Sequence, residues 1–575
     1  MSTRYSVLSI LLSWILSTPW LIAQDTEQRT YCNPLNLDYT YMIFDAHKEL
    51  SYRSGADPAV IEFRGEYYLF VTRSMGYWHS RDLLNWEFIK PQQWFFMGSN
   101  APAAFNYKDS LVYVVADPSG SNSVLYTDNP KNGEWKATPA LLHQLQDPNL
   151  FIDIDENGEE QAYIFWGSSN KFPIRGRKLD MDKLFRPSDE IVELFNLQPE
   201  KHGWERFGEN HMDTVLGGYI EGPWLTKHNG KYYMEYAAPG TEWNVYGDGV
   251  YMSDHPLGPY TYAAHNPFSY KPGGYMNGAG HGSTVLGPQN TYWHFTTAAI
   301  AVSIGWERRI VMYPTYFDED GLMHSETSFG DYPHYAPTVP GKQGQFTGWM
   351  LLSYAKPVKA SSSMSEYGVE LINDENVKTF WVAADNDDKQ WVEIDLEAPA
   401  DVYATQVNYH DYQSGIYGRV PGLYHRYKIL GSLDGTEWFT LVDRSDSYFD
   451  VPNDYVQLGK PQKARYIRYQ NIHVPTPYLS ISDLRIFGIG EGEKPDPVQN
   501  FEAVRGEDRR EAHLSWSPVA GAQGYNIRWG IAPDKLYSSW LVYDDTSLQI
   551  RSLNIDQEYY FTIEAFNENG ISSAD

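Results

Sequence analysis

At 575 residues the chain exceeds what one hydrophobic core supports, so roughly two to four domains are expected. Aromatic residues at 15%, with 46 Gly and 34 Pro, point to a protein built of strands and turns. A formal net charge of −29 excludes a nucleic-acid partner, because binding a phosphate backbone needs clustered Lys and Arg to release counterions.

Residues 1–23 have the layout of a signal peptide: Arg4, an apolar run from Val7 to Leu16, and a cleavage point after Ala23. The expected location is therefore periplasmic or secreted, with no membrane span after signal removal. The single cysteine, Cys32, excludes an intrachain disulfide and any cysteine-based metal cluster.

From residue 56 a pattern repeats. "ADPAVIEFRGEYYLFV" (56–71), "NAPAAFNYKDSLVYVV" (100–115), "QDPNLFIDIDENGEEQAYIFW" (146–166), "IEGPWLTKHNGKYYMEY" (220–236) and "GHGSTVLGPQNTYWHFT" (280–296) each read as an apolar strand, a polar turn and a second strand opening on aromatics. Segments such as "YWHSRDLLNWEFI" supply outer strands. Five small sheets in succession are the trace of radial repetition, so an all-β five-bladed β-propeller is expected over 31–340.

In such a fold the first strand of each blade lines the central channel. The residues that open it here are Asp57, Asn100, Asp147, Glu221 and His281. Three carboxylates in one partly desolvated funnel repel one another, so the arrangement calls for a chemical reason. Two chemistries use such a cluster: a hard metal ion, or hydrolysis of a glycosidic bond between an acid and a base. Acids drawn from separate blades favour the sugar. Glu221, between Ile220 and Pro223, is the candidate proton donor, Asp57 the base that activates water, and Asp147 the group that orients and tunes the acid. Non-neighbouring blades should hold acid and base well apart, which predicts inversion of the anomeric centre.

"ADPAVI" with "YYLFVT" and "SRDLLNW", then "QDPNLFIDIDENG", "IEGPWLTKHNGKYYMEY", "GHGSTVLGP" and "RRIVMYPTYFDEDG" resemble the successive blade signatures of glycoside hydrolase family 43, over about residues 31–340. The resemblance implies an inverting exo-glycosidase acting on a poly- or oligosaccharide, with Asp57 as base, Asp147 as pKa modulator and Glu221 as acid. It implies that His281 holds a metal ion or a water network near the sugar, and that Arg308, beside Arg309, is the family's late arginine. Where many members have Trp-Ala-Pro in the second blade, this chain has Asn100, so the aromatic wall there is absent or supplied from elsewhere. Trp78 is a candidate for stacking on a sugar face. The acidic run at Asp153, Asp155 and Asn157 reads as a hairpin turn, since it lacks the later bidentate Glu of a calcium loop.

Beyond residue 350 the pattern changes to alternating strands with Asp, Gly and Asn turns, a β-sandwich over 350–490. "TFWVA", "QWVEIDL", "SLDGTEW" and "ARYIRY" resemble the discoidin, or factor 5/8 type C, fold, which implies a candidate carbohydrate-binding module and candidate calcium ligands at Asn373 and Asp374. After the linker "GEGEKPDPVQN", residues 497–575 resemble a fibronectin type III domain. Trp516, Tyr525, Leu553, Tyr559 and Ala565 fall at its core and tyrosine corner, its final strand is short or incomplete, and a spacer role is expected.

The whole reads as an inverting exo-acting glycosidase that removes terminal α-L-arabinofuranosyl or β-D-xylosyl residues. A β-galactosidase or β-galactofuranosidase on the same scaffold, and a non-catalytic sugar-binding propeller, are the alternatives. No cofactor is required by direct attack of water; a structural calcium in the second domain and an ion near His281 are the candidates. The insertion at 199–219, before Glu221, is long enough to close over a pocket.

Overall fold

Each of the first three repeats folds into its own antiparallel sheet across short polar turns, while the antiparallel strands of the fourth and fifth are joined into one nine-stranded sheet by a parallel pairing of Gly247 with Ala279. In this computed structural model residues 29–573 are described, except 45–46, 93–99, 118–120, 144, 155–156 and 301–305. The leader expected at 1–23 and Asp155 of the acidic turn lie outside the described residues.

The inner strands are Ala59–Phe63, Asn100–Tyr107, Asn149–Ile154, Glu221–His228 and Asn277–Leu286. Each stands beside the next, and the fifth returns to the first, so the ring closes. Side chains tie the seams: Val60 N donates to Ser283 Oγ at 2.9 Å, Asn106 Nδ2 to Glu62 O at 2.9 Å, and Leu225 N to Asn149 Oδ1 at 3.1 Å. The gaps between adjacent sheets hold separate apolar clusters, such as Leu69, Trp78, Trp293 and Phe295 between blades five and one. Alternation places one face of every strand in one gap and the other face in the next, which is why these strands are apolar on both sides. Trp78 is consumed here. It is 1% exposed, its Nε1 donates to Asp38 Oδ1 at 2.6 Å and its ring packs edge-on to Phe88, so the expectation that it stacks on a sugar is corrected.

The second domain is a single strongly bent eight-stranded sheet built on the long strands Trp391–Tyr409 and Asn453–His473, with Trp381, Ile394, Tyr427 and Ile481 in its core. Register breaks at Asp395/Ala400 and Val402/Ala404 let the chain bend from one layer to the other. At the expected calcium segment the side chains are used internally. Asn373 donates its amide to Ser353 O and Lys356 O, while Asp374 accepts from Asn376 N and the Thr379 hydroxyl. Among the described residues, no cluster of His, Cys, Asp or Glu able to hold an ion includes Asp374.

The last domain is a sandwich of a three-stranded sheet (Glu502–Arg505, Ala512–Ser515, Ser547–Ile550) and a four-stranded one (Gly524–Gly530, Ser538–Tyr543, Tyr560–Asn567, Gly570–Ile571). Buried charges join the domains. Arg53 of the propeller pairs with Asp411 and Asp450, and Arg485 pairs with Glu375 beside the propeller's Lys271–Asp331 pair. Cys32 lies at that junction with its thiol on Asp331 O at 3.2 Å; burial pushes it far up, leaving it a protonated packing group. No helix among the described residues is long and apolar enough to cross a membrane.

Candidate active site

At the mouth of each inner strand the backbone makes the same unusual turn. Asp57 (φ 54°), Ala101 (37°), Asp147 (48°), Gly222 (62°) and His281 (49°) all adopt the left-handed region. Four of the five are not glycine, and such strain concentrates where a side chain must be aimed. This corrects the register expected for two blades: Asn100 and Glu221 stand one residue ahead of the positions held by Asp57, Asp147 and His281. The proline column shows why. Pro58, Pro102, Pro148 and Pro223 each follow the left-handed residue, so proline marks the strand entry and the acid of blade four enters one step earlier.

Asp57 is buried. Its Oδ2 accepts from the Thr72 hydroxyl at 2.5 Å, its Oδ1 lies 3.5 Å from Arg308 Nη1 and 3.3 Å from His281 Nδ1, and its backbone N–H donates to Thr297 Oγ1 at 2.9 Å. Burial alone would raise the carboxyl, but Arg308, His281 and Thr72 outweigh it and hold Asp57 below the usual carboxylate range. Glu221 is pushed the other way. Burial raises it and the negative field of Asp57 adds to that, against the pull of His281 and the hydroxyl of Tyr246, which donates to Oε1 at 2.5 Å. Ser168 Oγ stands 3.5 Å from Oε2.

His281 is the hub. Its Nδ1 lies 3.3 Å from Asp57 and 3.9 Å from Asp147, and a Cβ on Gly222 would stand 2.7 Å from its ring, so only glycine fits beside it. Burial would lower the imidazole, yet Asp57, Asp147, Glu221 and Asp248 together raise it, favouring the cation. Its backbone is held from beneath: Asp248 accepts from His281 N at 2.7 Å and Gly282 N at 2.9 Å. Asp248 is in turn bound by His294 Nε2 at 2.8 Å, whose other nitrogen faces Glu235 at 3.4 Å.

Arg308, not Arg309, faces the site. Arg308 Nη1 also reaches Thr241 Oγ1 at 3.3 Å, whereas Arg309 turns inward to the carbonyls of Arg53 and Arg308. Asn100 sits half-buried at the rim, its Oδ1 accepting from Arg73 Nε at 2.8 Å. Thr72, Thr297, Tyr246, Asp248 and Trp306 were not singled out from sequence. The two threonines had a readable signal, a Thr at the close of a second strand in both "YYLFVT" and "YWHFTT"; Tyr246 and Trp306 lie in loops, and Asp248 at the start of the third strand of blade four, with no counterpart among the quoted repeats. Trp306 is 54% exposed, with the Arg308 guanidinium 5.3 Å from its ring centroid.

Asp147, Glu221 and His281 bring one donor atom each within 4.8 Å of one another. A nitrogen with two carboxylates suits a divalent transition metal better than calcium. Ligation would require Glu221 ionised, while its burial favours the protonated form. A cavity of about 1350 Å³ lies elsewhere, between blade one and the second domain, lined by Asp38, Trp86, Arg419 and Tyr448; none of the acids borders it.

Residues 51–323 match the family model for Glycosyl hydrolases family 43, and residues 357–484 match the F5/8 type C domain. Among curated proteins, a xylan 1,3-β-xylosidase from a Vibrio species is 26% identical over 265 residues, covering 40% of this chain and 45% of that protein. A β-D-galactofuranosidase from Aspergillus niger is 36% identical over 52 residues, 9% of this chain and 15% of that one. The chain thus spans less than half the length of these curated relatives. Among solved structures, a Cellvibrio cellulosa α-L-arabinanase is similar at 18% identity, covering 48% of this chain and 96% of that one with a TM-score of 0.37. A family 43 protein from Bacillus licheniformis is similar at 14% identity over 93% of this chain and 100% of that one, with a TM-score of 0.40.

Proposed function

From a chain that carries a family 43 glycosyl hydrolase domain over residues 51–323, we propose an inverting exo-glycosidase of polysaccharide breakdown that releases terminal pentofuranosyl or pentopyranosyl residues. One observation carries this reading: two carboxyls on non-neighbouring blades, Asp57 buried and Glu221 half-buried, are driven apart in acidity, Asp57 toward the ionised form and Glu221 toward the protonated form, with the His281 ring adjoining Asp57 and Gly222. Environments that split a pair in this way assign base and acid.

The step is a single displacement. Asp57 takes a proton from water as the water oxygen bonds to the anomeric carbon. The bond to the leaving oxygen breaks on the opposite face, and Glu221 delivers its proton to that oxygen. Asp57 ends protonated and Glu221 ionised, and the released sugar carries the inverted configuration. Arg308 and His281 offset the charge of Asp57, while Asp147 acts on the acid through His281. The leader expected at 1–23 makes export part of the same proposal.

The test is hydrolysis of para-nitrophenyl α-L-arabinofuranoside, β-D-xyloside, β-D-galactoside and β-D-galactofuranoside, with the product anomer followed by proton NMR. The xylosidase and galactofuranosidase names of the curated relatives motivate two arms of that panel. Cleavage of a pentoside with inversion is expected; retention, or no hydrolysis by folded protein, overturns the reading.

Trp306 supplies the aromatic surface missing at Asn100. Trp306→Ala is expected to raise KM about three- to tenfold with little change in kcat, the size of one lost ring contact. An unchanged KM would remove Trp306 from the pocket wall.

A further inference from the structure

The chain between the second and third strands of blade four, residues 239–246, ends on Tyr246, the tyrosine whose hydroxyl donates to Glu221. Its neighbours are packed outside the propeller. Val245, fully buried, and the partly buried Trp243 belong to the apolar core of the C-terminal sandwich together with Leu514, Trp516, Ile527 and Trp529. Tyr270, from the same blade, enters that core with its ring centroid 6.2 Å from Trp529. Its hydroxyl meets His211 Nε2 at 2.9 Å.

The insertion before Glu221 is gripped by the same sandwich. Gly203 N donates to Leu553 O at 2.9 Å, Ile555 N to Lys201 O at 2.9 Å, and Arg510 Nη1 to Pro199 O at 2.8 Å. A Cβ on Gly203 would stand 2.3 Å from Arg551 O, so backbone lies directly on backbone and only glycine permits the approach. Arg206 adds an ion pair to Glu511 at 3.1 Å. Insertion and loop then brace each other: Asn210 N donates to Asn244 Oδ1 at 2.9 Å, and Phe207 meets Trp243 edge-on at 5.6 Å.

We infer that the C-terminal sandwich is a positioning element of the active site, holding the 239–246 loop so that Tyr246 keeps its hydrogen bond on Glu221. A spacer domain would meet its neighbour through a small, polar surface. Here the loop contributes two side chains to the sandwich's own core, so the ordering cost of a loop beside the acid is met by burial in another domain. Tyr246 acts through Glu221, and Val245 through Tyr246.

The experiment uses the full chain with Val245→Ala, Val245→Ile, Leu514→Ala and Tyr246→Phe. Amide hydrogen exchange reads the brace directly. Peptides covering 240–246 should exchange faster in Val245→Ala and Leu514→Ala, with 59–70 of blade one unchanged and Val245→Ile close to wild type. Unchanged exchange at 240–246 in Val245→Ala overturns the inference, whether or not any glycoside is cleaved. The kinetic arm rests on the glycosidase reading. A hydrogen bond donated to the ionised carboxylate lowers its pKa, so Tyr246→Phe should move the alkaline limb of kcat upward. Val245→Ala should move it in the same direction and lower kcat by about tenfold, the order expected from a slightly misplaced acid. Adding Val245→Ala to Tyr246→Phe should produce no further limb shift; full additivity counts against the inference. A wild type inactive on every glycoside would refute the glycosidase reading, and the exchange result would still decide the brace.

Discussion

Glu221→Gln and Asp57→Asn are each expected to lower kcat on an oligosaccharide by about 10²–10⁴, the usual contribution of one general acid or base. The two losses should differ with the leaving group. A dinitrophenolate departs without a proton, so Glu221→Gln should recover most of its rate on a dinitrophenyl glycoside, while Asp57→Asn stays impaired because water must be activated in either case. Equal losses on both substrates would refute the assignment of acid and base. The pH profile follows from the same shifts. Hydrolysis needs Asp57 ionised, so the rate rises through a pKa held below the usual carboxylate range by Arg308, His281 and Thr72 against burial. It needs Glu221 protonated, so the rate falls only above a pKa that burial has raised. The plateau should therefore be wider than two ordinary carboxyls allow, and Glu221→Gln should lose its alkaline limb.

His294→Leu is expected to destabilise the propeller by about 3–5 kcal/mol, because it strips the partner from two buried carboxylates. His294 and Glu235 are fully buried and Asp248 nearly so, with no solvent to take over the lost bonds. Burial would lower the imidazole, but Asp248 and Glu235 raise it to about 9, above the roughly 6.5 of an exposed histidine. A raised pKa means the folded state binds the proton more tightly. The contribution is thus fully present below about pH 6.5 and disappears as pH climbs through about 9. Urea midpoints across that range should fall with pH in the wild type, and that component should be absent from His294→Leu. A variant as stable as wild type at pH 6 would show that the three groups are not paired in solution. Activity should drop as well, since Asp248 holds the backbone of His281 and Gly282.

Much of the site could be read in the chain because repetition converts sequence position into spatial position. Asp57, Asp147 and His281 open their strands at the same point, and the ring carries them to one end of one axis. The register failed at Asn100 and Glu221, because the polar side chain there stands one residue ahead of the left-handed residue before proline, Ala101 and Gly222. Trp78 was misjudged for a related reason. An aromatic after a second strand looks the same whether it faces a funnel or a gap between sheets, and only packing against Leu69 and Phe88 distinguishes them.

The amino-acid sequence by itself determined the strand repeats, the ring they form and the acids at its mouth, because strand periodicity and turn chemistry act over a few residues. The tertiary structure alone decided how those acids differ. The ionisation of Asp57 depends on Arg308, 251 positions away, and the orientation of Glu221 on Tyr246, whose loop is packed into the core of another domain. Burial and the field of distant charges set a pKa, and neither can be read from neighbours along the chain.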